Sequence, residues 1–218
     1  LVGIIVANVL LVGTLLINAQ ARASYAQGEQ YLNGVPMGQI QHRDRNQAID
    51  ERDYISLRRQ GFDMLVPLLR QFVRTQSGQM LELSGIDVFS FPRQQETTSV
   101  SLRASSDNAN MLGFAFPPFQ LWVAPARLEQ LGLSNDEQIT LASGKRLPPL
   151  QAVSGQQLGH RILLSLEALQ SITDKPAQLS SIMVFPTSPE QLANLRQSLP
   201  EQLKFVDSSA TPDPEELT

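Results

Sequence analysis

SSIMVFPTSPEQLANLRQSLPEQLKFV, residues 180–206, is the most informative stretch of this chain. Residues 180–185 are a short apolar run typical of a strand buried on both faces. Ser188 follows at an N-cap position, with Pro189 at N1 and Gln191 at N3, a capping-box arrangement. Residues 203–206 close a strand–helix–strand unit. The sequence therefore predicts an α+β fold in which helices pack on a sheet.

A helix and a hairpin earlier in the chain also have recognisable boundaries. Asp50 is the predicted N-cap of a helix that ends before Gly61, with acidic residues in its first turn and basic residues in its last. Residues 64–75 and 80–88 flank a polar turn around Gly78 and predict a β-hairpin. Gly85 inside the second strand indicates either a bulge or the close approach of another element.

The remaining predicted elements are short. They are a strand at residues 35–42, a loop at 91–110 with one short strand at 98–103, a helix at 125–131 capped by Gly132, a hairpin of 138–142 with 146–153 around Gly144, a strand at 161–164, and a helix capped by Ser165. Pro148 and Pro149 confine the second arm of that hairpin to a sheet edge, because proline cannot donate to a neighbouring strand.

Residues 111–122, MLGFAFPPFQLW, hold the densest group of aromatic side chains. Strand alternation would place Phe114 and Phe116 on one face of a sheet, which favours a role in the core. Pro117 and Pro118 predict a turn, where exposed rings could touch a partner. The candidate residues for contact with a partner or substrate are Phe114, Phe116, Phe119 and Trp122.

Residues 1–17, LVGIIVANVLLVGTLLI, carry no charge and are just long enough to cross a hydrocarbon core about 30 Å thick. Residues 18–32 are rich in Ala, Gln and Glu and predict a helical stalk. Two small-x-small sites around Ala21 leave a cleaved signal peptide as the alternative. The length of the apolar run and the lack of a basic flank favour a retained helix. In either case we expect the domain to lie outside the cytoplasm and, since the chain begins with Leu, to belong to a longer protein.

Composition argues against several kinds of function. The 218 residues carry a formal net charge of −4, too acidic for a nucleic-acid partner. There are no cysteines, which excludes disulfides and thiolate metal sites. His42 and His160 lack neighbours at ligand spacing, and no nucleophile elbow, phosphate loop, dinucleotide motif or calcium loop occurs. We therefore expect no catalytic residue, no metal, no cofactor and no enzymatic activity in this chain.

The order of these parts resembles the first transmembrane segment and extracytoplasmic domain of FtsX/MacB-type ABC transporter permeases. After the apolar run, the resemblance is carried in order by NAQARASY (18–25), DYISLRRQGFDMLVPLL (53–69), GQMLELSGIDVFSFP (78–92), VAPARLEQLGLSNDEQITLASGKRLPPLQAV (123–153) and RILLSLEALQSITDKPAQLSSIMVFP (161–186). Each motif is loose, and the specificity lies in their order behind the N-terminal helix.

The resemblance implies a transmembrane and stalk helix followed by a periplasmic domain of strand–helix–strand units with an inserted smaller β-rich lobe. The implied divisions are 1–33 for the helix and stalk, 34–207 for the periplasmic domain, with a porter-like part at 34–90 and 158–207 and a lobe at about 91–157, and 208–218 for a linker. Further membrane helices are implied after residue 218.

The resemblance also implies a function. Such a permease sits in the bacterial inner membrane, works with a separate ATP-binding subunit and is expected to form a homodimer. Its periplasmic domain relays the ATPase cycle as movement, to extrude a lipoprotein, lipid, peptide or drug or to regulate an envelope partner. The alternative is a secreted or anchored binding module whose signal peptide is cleaved.

Overall fold

Eight of the strands join in one mixed sheet. The computed structural model describes residues 36–92, 113–153 and 161–208. The strands are β1 (Gly38–His42), β2 (Ile49–Asp50), β3 (Leu65–Arg74), β4 (Met80–Ile86), β5 (Leu121–Val123), β6 (Leu150–Ala152), β7 (Ile162–Ser165), β8 (Gln178–Leu179), β9 (Ser181–Val184) and β10 (Leu203–Asp207). The helices are α1 (Glu51–Arg59), α2 (Pro125–Leu131), α3 (Leu166–Thr173) and α4 (Pro189–Ser198).

The strand order is β10–β1–β9–β3–β4–β7–β5–β6, and β2 pairs separately with β8. Strands β4 and β7 are parallel, as are β5 and β6, and the other neighbours are antiparallel. The fold is thus α+β, as predicted. Because β5 and β6 extend the same sheet, the segment 113–153 shares its hydrogen bonding with the rest of the domain. The division into a porter-like part and an inserted lobe stays a prediction.

The predicted strand–helix–strand unit is present as β9, α4 and β10. Strand β1 lies between β9 and β10 and is antiparallel to both. The Ser188 hydroxyl accepts a hydrogen bond from the Gln191 backbone N–H at 3.2 Å, which confirms the predicted N-cap. The Gln191 side chain does not complete a capping box, since its carboxamide oxygen accepts from the Thr187 hydroxyl instead.

The first helix and hairpin also follow the sequence. Asp50 caps α1 by accepting from the Arg52 backbone N–H at 2.9 Å. The β3–β4 hairpin turns at Gly78, whose φ of +88° is a left-handed value that glycine adopts without strain. Its register is unbroken, so Gly85 marks a close approach and not a bulge. A Cβ atom at position 85 would lie 3.0 Å from the Leu169 Cβ of α3.

Two short elements of the second half are confirmed. Helix α2 ends at Gly132 in the left-handed conformation. The hairpin around Gly144 is paired near its turn, where Thr140 bridges Arg146. Its second arm does not continue as one strand, because Pro148 and Pro149 supply no backbone N–H. After the prolines, β6 pairs in parallel with β5 at the sheet edge.

Both faces of the sheet contain buried side chains, and the cluster on one face is much larger than the cluster on the other. Helices α1 to α4 all bury side chains in one large cluster on what we call the helix face. A smaller cluster lies on the other side, which we call the aromatic face. Its members are Leu68, Ile86, Phe114, Trp122, Val153 and Leu163. Alternation along the strands separates the two clusters, as Leu68 and its neighbour Leu69 show.

The described chain enters and leaves the domain at one place. Gly38 of β1 pairs with Asp207 of β10, and the Ser208 backbone N–H donates to the Met37 carbonyl at 2.9 Å. Leu65, the first residue of β3, pairs with Val184, which also pairs with Gly38, so β3 begins at this end of the sheet. The strand then extends for ten residues toward the opposite end. At about 3.3 Å per residue, the β3–β4 turn therefore lies roughly 30 Å from this end.

Among the residues that the structure describes, no helix combines the length and apolar character needed to span a bilayer. Several predictions fall outside those residues. They are the helix at 1–17, the stalk at 18–32, the short strand at 98–103, His160 and the linker beyond residue 208.

Candidate binding surface

The four aromatic candidates occupy three different places. Phe114 and Trp122 are both fully buried in the aromatic-face cluster, with ring centroids 4.4 Å apart. The predicted strand alternation is wrong here, because residues 113–115 form a helical turn and β5 begins only at Leu121. In a helical turn, side chains two positions apart do not share a face. Phe116 consequently points away from the core while Phe114 fills it.

Phe116 belongs to an exposed aromatic pair. Its ring is 52% exposed and lies 5.9 Å from that of Phe89, which is 60% exposed. Phe89 was not among the sequence candidates. The available signal was its position just after β4, in the segment DVFSFP, where two aromatic rings precede a proline. Two large exposed rings in contact are typical of a surface that meets a partner.

The turn that carries Phe89 is held against α1 by buried polar groups. The Tyr54 hydroxyl lies 2.8 Å from Ser90 Oγ, and the Ser90 hydroxyl donates to the Asp87 carboxylate. Asp87 also accepts from the Phe89 backbone N–H at 2.9 Å. Burial raises the pKa of the Tyr54 phenol above its ordinary value, while the hydrogen bond to Ser90 opposes that shift. The chain of hydrogen bonds fixes where the exposed Phe89 ring stands.

Phe119 lies in a third place, a cleft of about 480 Å³. One side of its ring packs on the helix-face cluster, and the other faces the cleft. The segment before β5, the segment from the Gly144 hairpin to β6, and helix α3 form the walls. The lining residues are Pro118, Phe119, Gln138, Arg146, Leu147, Pro148, Pro149, Ala168, Ser171 and Ile172.

Arg146 is the sole ionisable residue that lines this cleft. Its side chain is exposed, and no ion pair of it is found within the described ranges. The preceding residue behaves differently: Lys145 Nζ lies 2.7 Å from the Asp174 carboxylate and donates to the Ile172 carbonyl at 2.9 Å. Lys145 thus ties the hairpin to the end of α3, and Arg146 leaves a positive charge at the rim.

A second cleft, of about 410 Å³, lies beside the β3–β4 turn and shares Gln138 with the first. Its other lining residues are Thr75, Gln76, Ser77, Gln79, Leu133, Glu137, Ile139 and Thr140. The Glu137 carboxylate accepts from the Ser134 backbone N–H at 2.8 Å, so it closes a local turn. Most of its lining residues are polar, and its one acidic residue is already hydrogen-bonded.

In the described part of the chain, no three His, Cys, Asp or Glu side chains converge on a point where a metal ion could be held. His42 lies on β1, and its Nδ1 is 3.1 Å from the Asp44 backbone N–H. The larger cleft therefore offers apolar and aromatic contacts, and Arg146 is its one cationic lining residue. Contact of Phe116 and Phe119 with a partner stays a prediction, and Phe114 and Trp122 serve the core.

Comparison with known proteins gives relatives by sequence and by fold. No family model matches the chain. A curated protein of Mycobacterium tuberculosis, named an uncharacterized ABC transporter permease protein, is 22% identical over 177 residues, which are 76% of this chain and 20% of that protein. The chain thus spans about a fifth of the length of this relative.

Two solved structures are similar to the chain. The periplasmic region of MacB from Actinobacillus actinomycetemcomitans has a TM-score of 0.51 at 12% identity, over 80% of this chain and 89% of that one. The extracellular domain of the noncanonic ABC-type transporter YknZ from Gram-positive bacteria has a TM-score of 0.48 at 9% identity, over 78% of this chain and 99% of that one.

The fold is similar to that of the periplasmic region of MacB. Together with the mycobacterial relative, it confirms the predicted resemblance to FtsX/MacB-type ABC transporter permeases.

Proposed function

We propose that this chain is part of the permease subunit of an ABC transporter in the bacterial inner membrane. Its domain, facing the periplasm or the outside, would couple ATP hydrolysis by a separate subunit to the movement or extrusion of an envelope substrate, or to the regulation of an envelope partner. The observation that carries the proposal is the likeness of 76% of the chain to a permease, joined to a MacB-type fold.

The path of the chain supports this arrangement. The strand that follows Pro36 and the strand that ends at Asp207 are neighbours, and the Ser208 hydroxyl donates to the Pro36 carbonyl at 2.9 Å. A domain inserted between two membrane segments needs its two connections at one end.

The position of β1 suits a mechanical relay. This strand is hydrogen-bonded on both sides, to β10 and to β9, so it is an inner strand of the eight-stranded sheet. A displacement of the segment before residue 36 would act on the backbone of an inner strand and move the sheet as a body. An attachment through an exposed loop would dissipate the same displacement in local bending.

ATP hydrolysis must come from elsewhere in this proposal. The only Gly-Lys pair, Gly144 with Lys145, lacks the glycine five positions earlier and the hydroxyl residue after it that a phosphate loop needs. Lys145 instead holds the end of α3. We therefore propose a separate ATP-binding subunit as a partner, and a second copy of the permease as another.

The decisive experiment isolates the protein from its own membranes. We expect an epitope-tagged chain to be recovered in a mild detergent with an ATP-binding subunit, and mass spectrometry to find residues 1–17 still attached. A soluble, processed protein that starts after Ala21 or Ala23 would contradict the proposal and favour the secreted binding module.

The substitution Ala21→Arg is the matched control, because it removes both small-x-small sites at once. If the apolar segment is a retained helix, this variant behaves as the wild type. Accumulation of a longer precursor in the variant alone would show that the wild-type segment is cleaved.

A further inference from the structure

We propose that the cleft lined by Phe119 and Arg146 binds a small amphipathic anion, with the apolar body between the proline and aromatic walls and the acid group at the Arg146 guanidinium. The inference rests on the proposed function for its role in transport, where it gives the chemical class of the substrate. Binding itself is a property of the domain and can be measured separately.

The walls of the cleft suit a compact apolar group. Phe119, Pro148 and Pro149 are each half-buried, so their inner sides pack and their outer sides face the cleft. The floor includes the buried side chains of Leu147 and Ala168. Rings of this kind need little conformational ordering when a ligand packs on them, which lowers the entropic cost of binding.

The size of the cleft points to a small molecule. A volume of about 480 Å³ falls in the range of pockets that hold drug-sized ligands. Two fused aromatic rings or a short acyl chain would fit within it. A folded partner would need a contact area far larger than these ten lining residues provide.

The charge at the cleft indicates that the ligand is an anion. Arg146 faces a cleft lined by no acidic residue, in a protein whose formal net charge is −4. The adjacent cation Lys145 is already paired with Asp174, so the free charge at this rim belongs to Arg146. A guanidinium prefers a planar, two-oxygen partner such as a carboxylate, which it can bind through two parallel hydrogen bonds.

The backbone of Arg146 is held in place even though its side chain is exposed. Thr140 bridges Arg146 across the hairpin, and the neighbouring Leu147 N–H donates to the Ile139 carbonyl at 2.8 Å. A fixed backbone keeps the base of the Arg146 side chain at the margin of the cleft. The Gln138 and Ser171 side chains at the margin can hydrogen-bond a second oxygen of the acid group.

The test uses the full chain in lipid nanodiscs and a matched pair of probes, fluoronaphthoate and its uncharged amide, fluoronaphthamide, followed by fluorine NMR. Signal from empty nanodiscs is subtracted. We expect the carboxylate to bind about three- to fivefold more tightly than the amide, as an exposed ion pair allows. The substitution Arg146→Gln should abolish that difference, because it removes the charge that favours the carboxylate.

Two further variants locate the site. Phe119→Ala and, independently, Ile172→Asn should weaken both probes, and Phe72→Ala, on the other face of the sheet, should change neither. The fluorescence of Trp122, the sole tryptophan, reports whether each variant is folded. Equal affinity for the two probes, an unchanged ratio in Arg146→Gln, or the lack of saturable binding would each overturn the proposal.

The titration reads binding whether or not the chain stays in the nanodisc. Loss of the chain from the bilayer, with normal binding of fluoronaphthoate, would therefore count against the permease proposal alone. A retained chain that does not distinguish the two probes would count against the cleft alone.

Discussion

The two faces of the sheet differ in how closely another element approaches them and in whether their buried polar groups have hydrogen-bond partners. On the helix face, α3 lies so close to β4 that a Cβ atom at Gly85 would come within 3.0 Å of Leu169. On the aromatic face, in the described part of the chain, the Ser84 hydroxyl and the Trp122 indole N–H are buried without a hydrogen-bond partner. Arg127 of α2 also has an unpartnered Nε within the described chain, but this residue is only partly buried, whereas Ser84 and Trp122 are fully buried and their unpaired groups cost stability on the aromatic face.

The difference continues along the β3–β4 hairpin. Toward its turn, the helix face keeps Leu81 and Leu83 buried, while the aromatic face exposes Phe72 and Met80. An Arg70–Glu82 ion pair at 3.2 Å lies on that exposed side. We infer that the folding energy of the domain is concentrated between sheet and helices, and that the aromatic face has residues available for other purposes.

The largest effect expected is that of Leu69→Ala, which should lower the free energy of unfolding by about 3 kcal/mol or more, since it leaves a cavity beneath closely packed helices. The neighbouring Leu68→Ala should cost less, because Leu68 is slightly more exposed and belongs to the smaller cluster on the aromatic face. Urea unfolding followed by Trp122 fluorescence measures both. An equal or larger loss for Leu68→Ala would remove the distinction between the faces.

The next effect is that of Gly85→Val. The added side chain would press on Leu169 and on the Leu166 backbone, at 3.2 Å, so we expect a loss of about 2 kcal/mol. The same urea titration applies, and Gly85→Ala, which adds only the Cβ atom, should cost less than Gly85→Val. A neutral Gly85→Val would show that α3 can move away from the sheet.

A third prediction concerns Tyr54, a buried polar group that does have a partner. Tyr54→Phe should cost about 1 kcal/mol, because it removes the hydrogen bond to Ser90. Its pKa is raised in the folded protein by burial. The unfolded chain therefore releases this proton first as the pH rises, so the stability that the neutral phenol contributes is complete below pH 10 and is lost above it.

The wild type should thus lose stability between its unfolded and folded phenol pKa values, and Tyr54→Phe should lose less over the same interval. Urea midpoints measured from neutral pH to above pH 10 give this comparison. Identical pH profiles for the two proteins would mean that other groups dominate the alkaline transition.

The smallest effect expected is that of Ser84→Ala. Removal of a buried hydroxyl that lacks a partner in the described structure should change stability by less than about 0.5 kcal/mol, or raise it slightly. Thermal unfolding of the variant beside the wild type is sensitive enough to give the sign. A clear loss of stability would mean that the Ser84 hydroxyl has a hydrogen-bond partner, and the contrast between the two faces would weaken.

Much of the fold was predictable wherever a residue acts on its own neighbours. Asp50 and Ser188 begin their helices, Gly132 ends one, and Gly78 turns a hairpin, because each meets a local backbone requirement that few residue types satisfy. The strand order was not predictable in this way. That β1 should lie between β9 and β10 follows from pairing across more than 140 positions of sequence, which no local pattern records.

The candidate surface was predictable only in part. The sequence marked the aromatic segment, yet a helical turn, and not a strand, sends Phe114 inward and Phe116 outward. Phe89 joins Phe116 from a distant part of the chain, and Arg146 meets Phe119 only because the hairpin and α3 close around it. No sequence motif or spacing links Phe89 to Phe116 or Arg146 to Phe119.

By itself, the amino-acid sequence determined the class of fold, the ends of most helices and the likeness to a permease domain, since capping, turn chemistry and hydrophobic spacing act over a few residues. Tertiary structure alone decided which aromatic rings reach solvent, which face of the sheet receives the helices and which cation lines the larger cleft. Those outcomes depend on the packing of segments that are far apart in the chain, where the burial of one side chain is settled by all of its neighbours together.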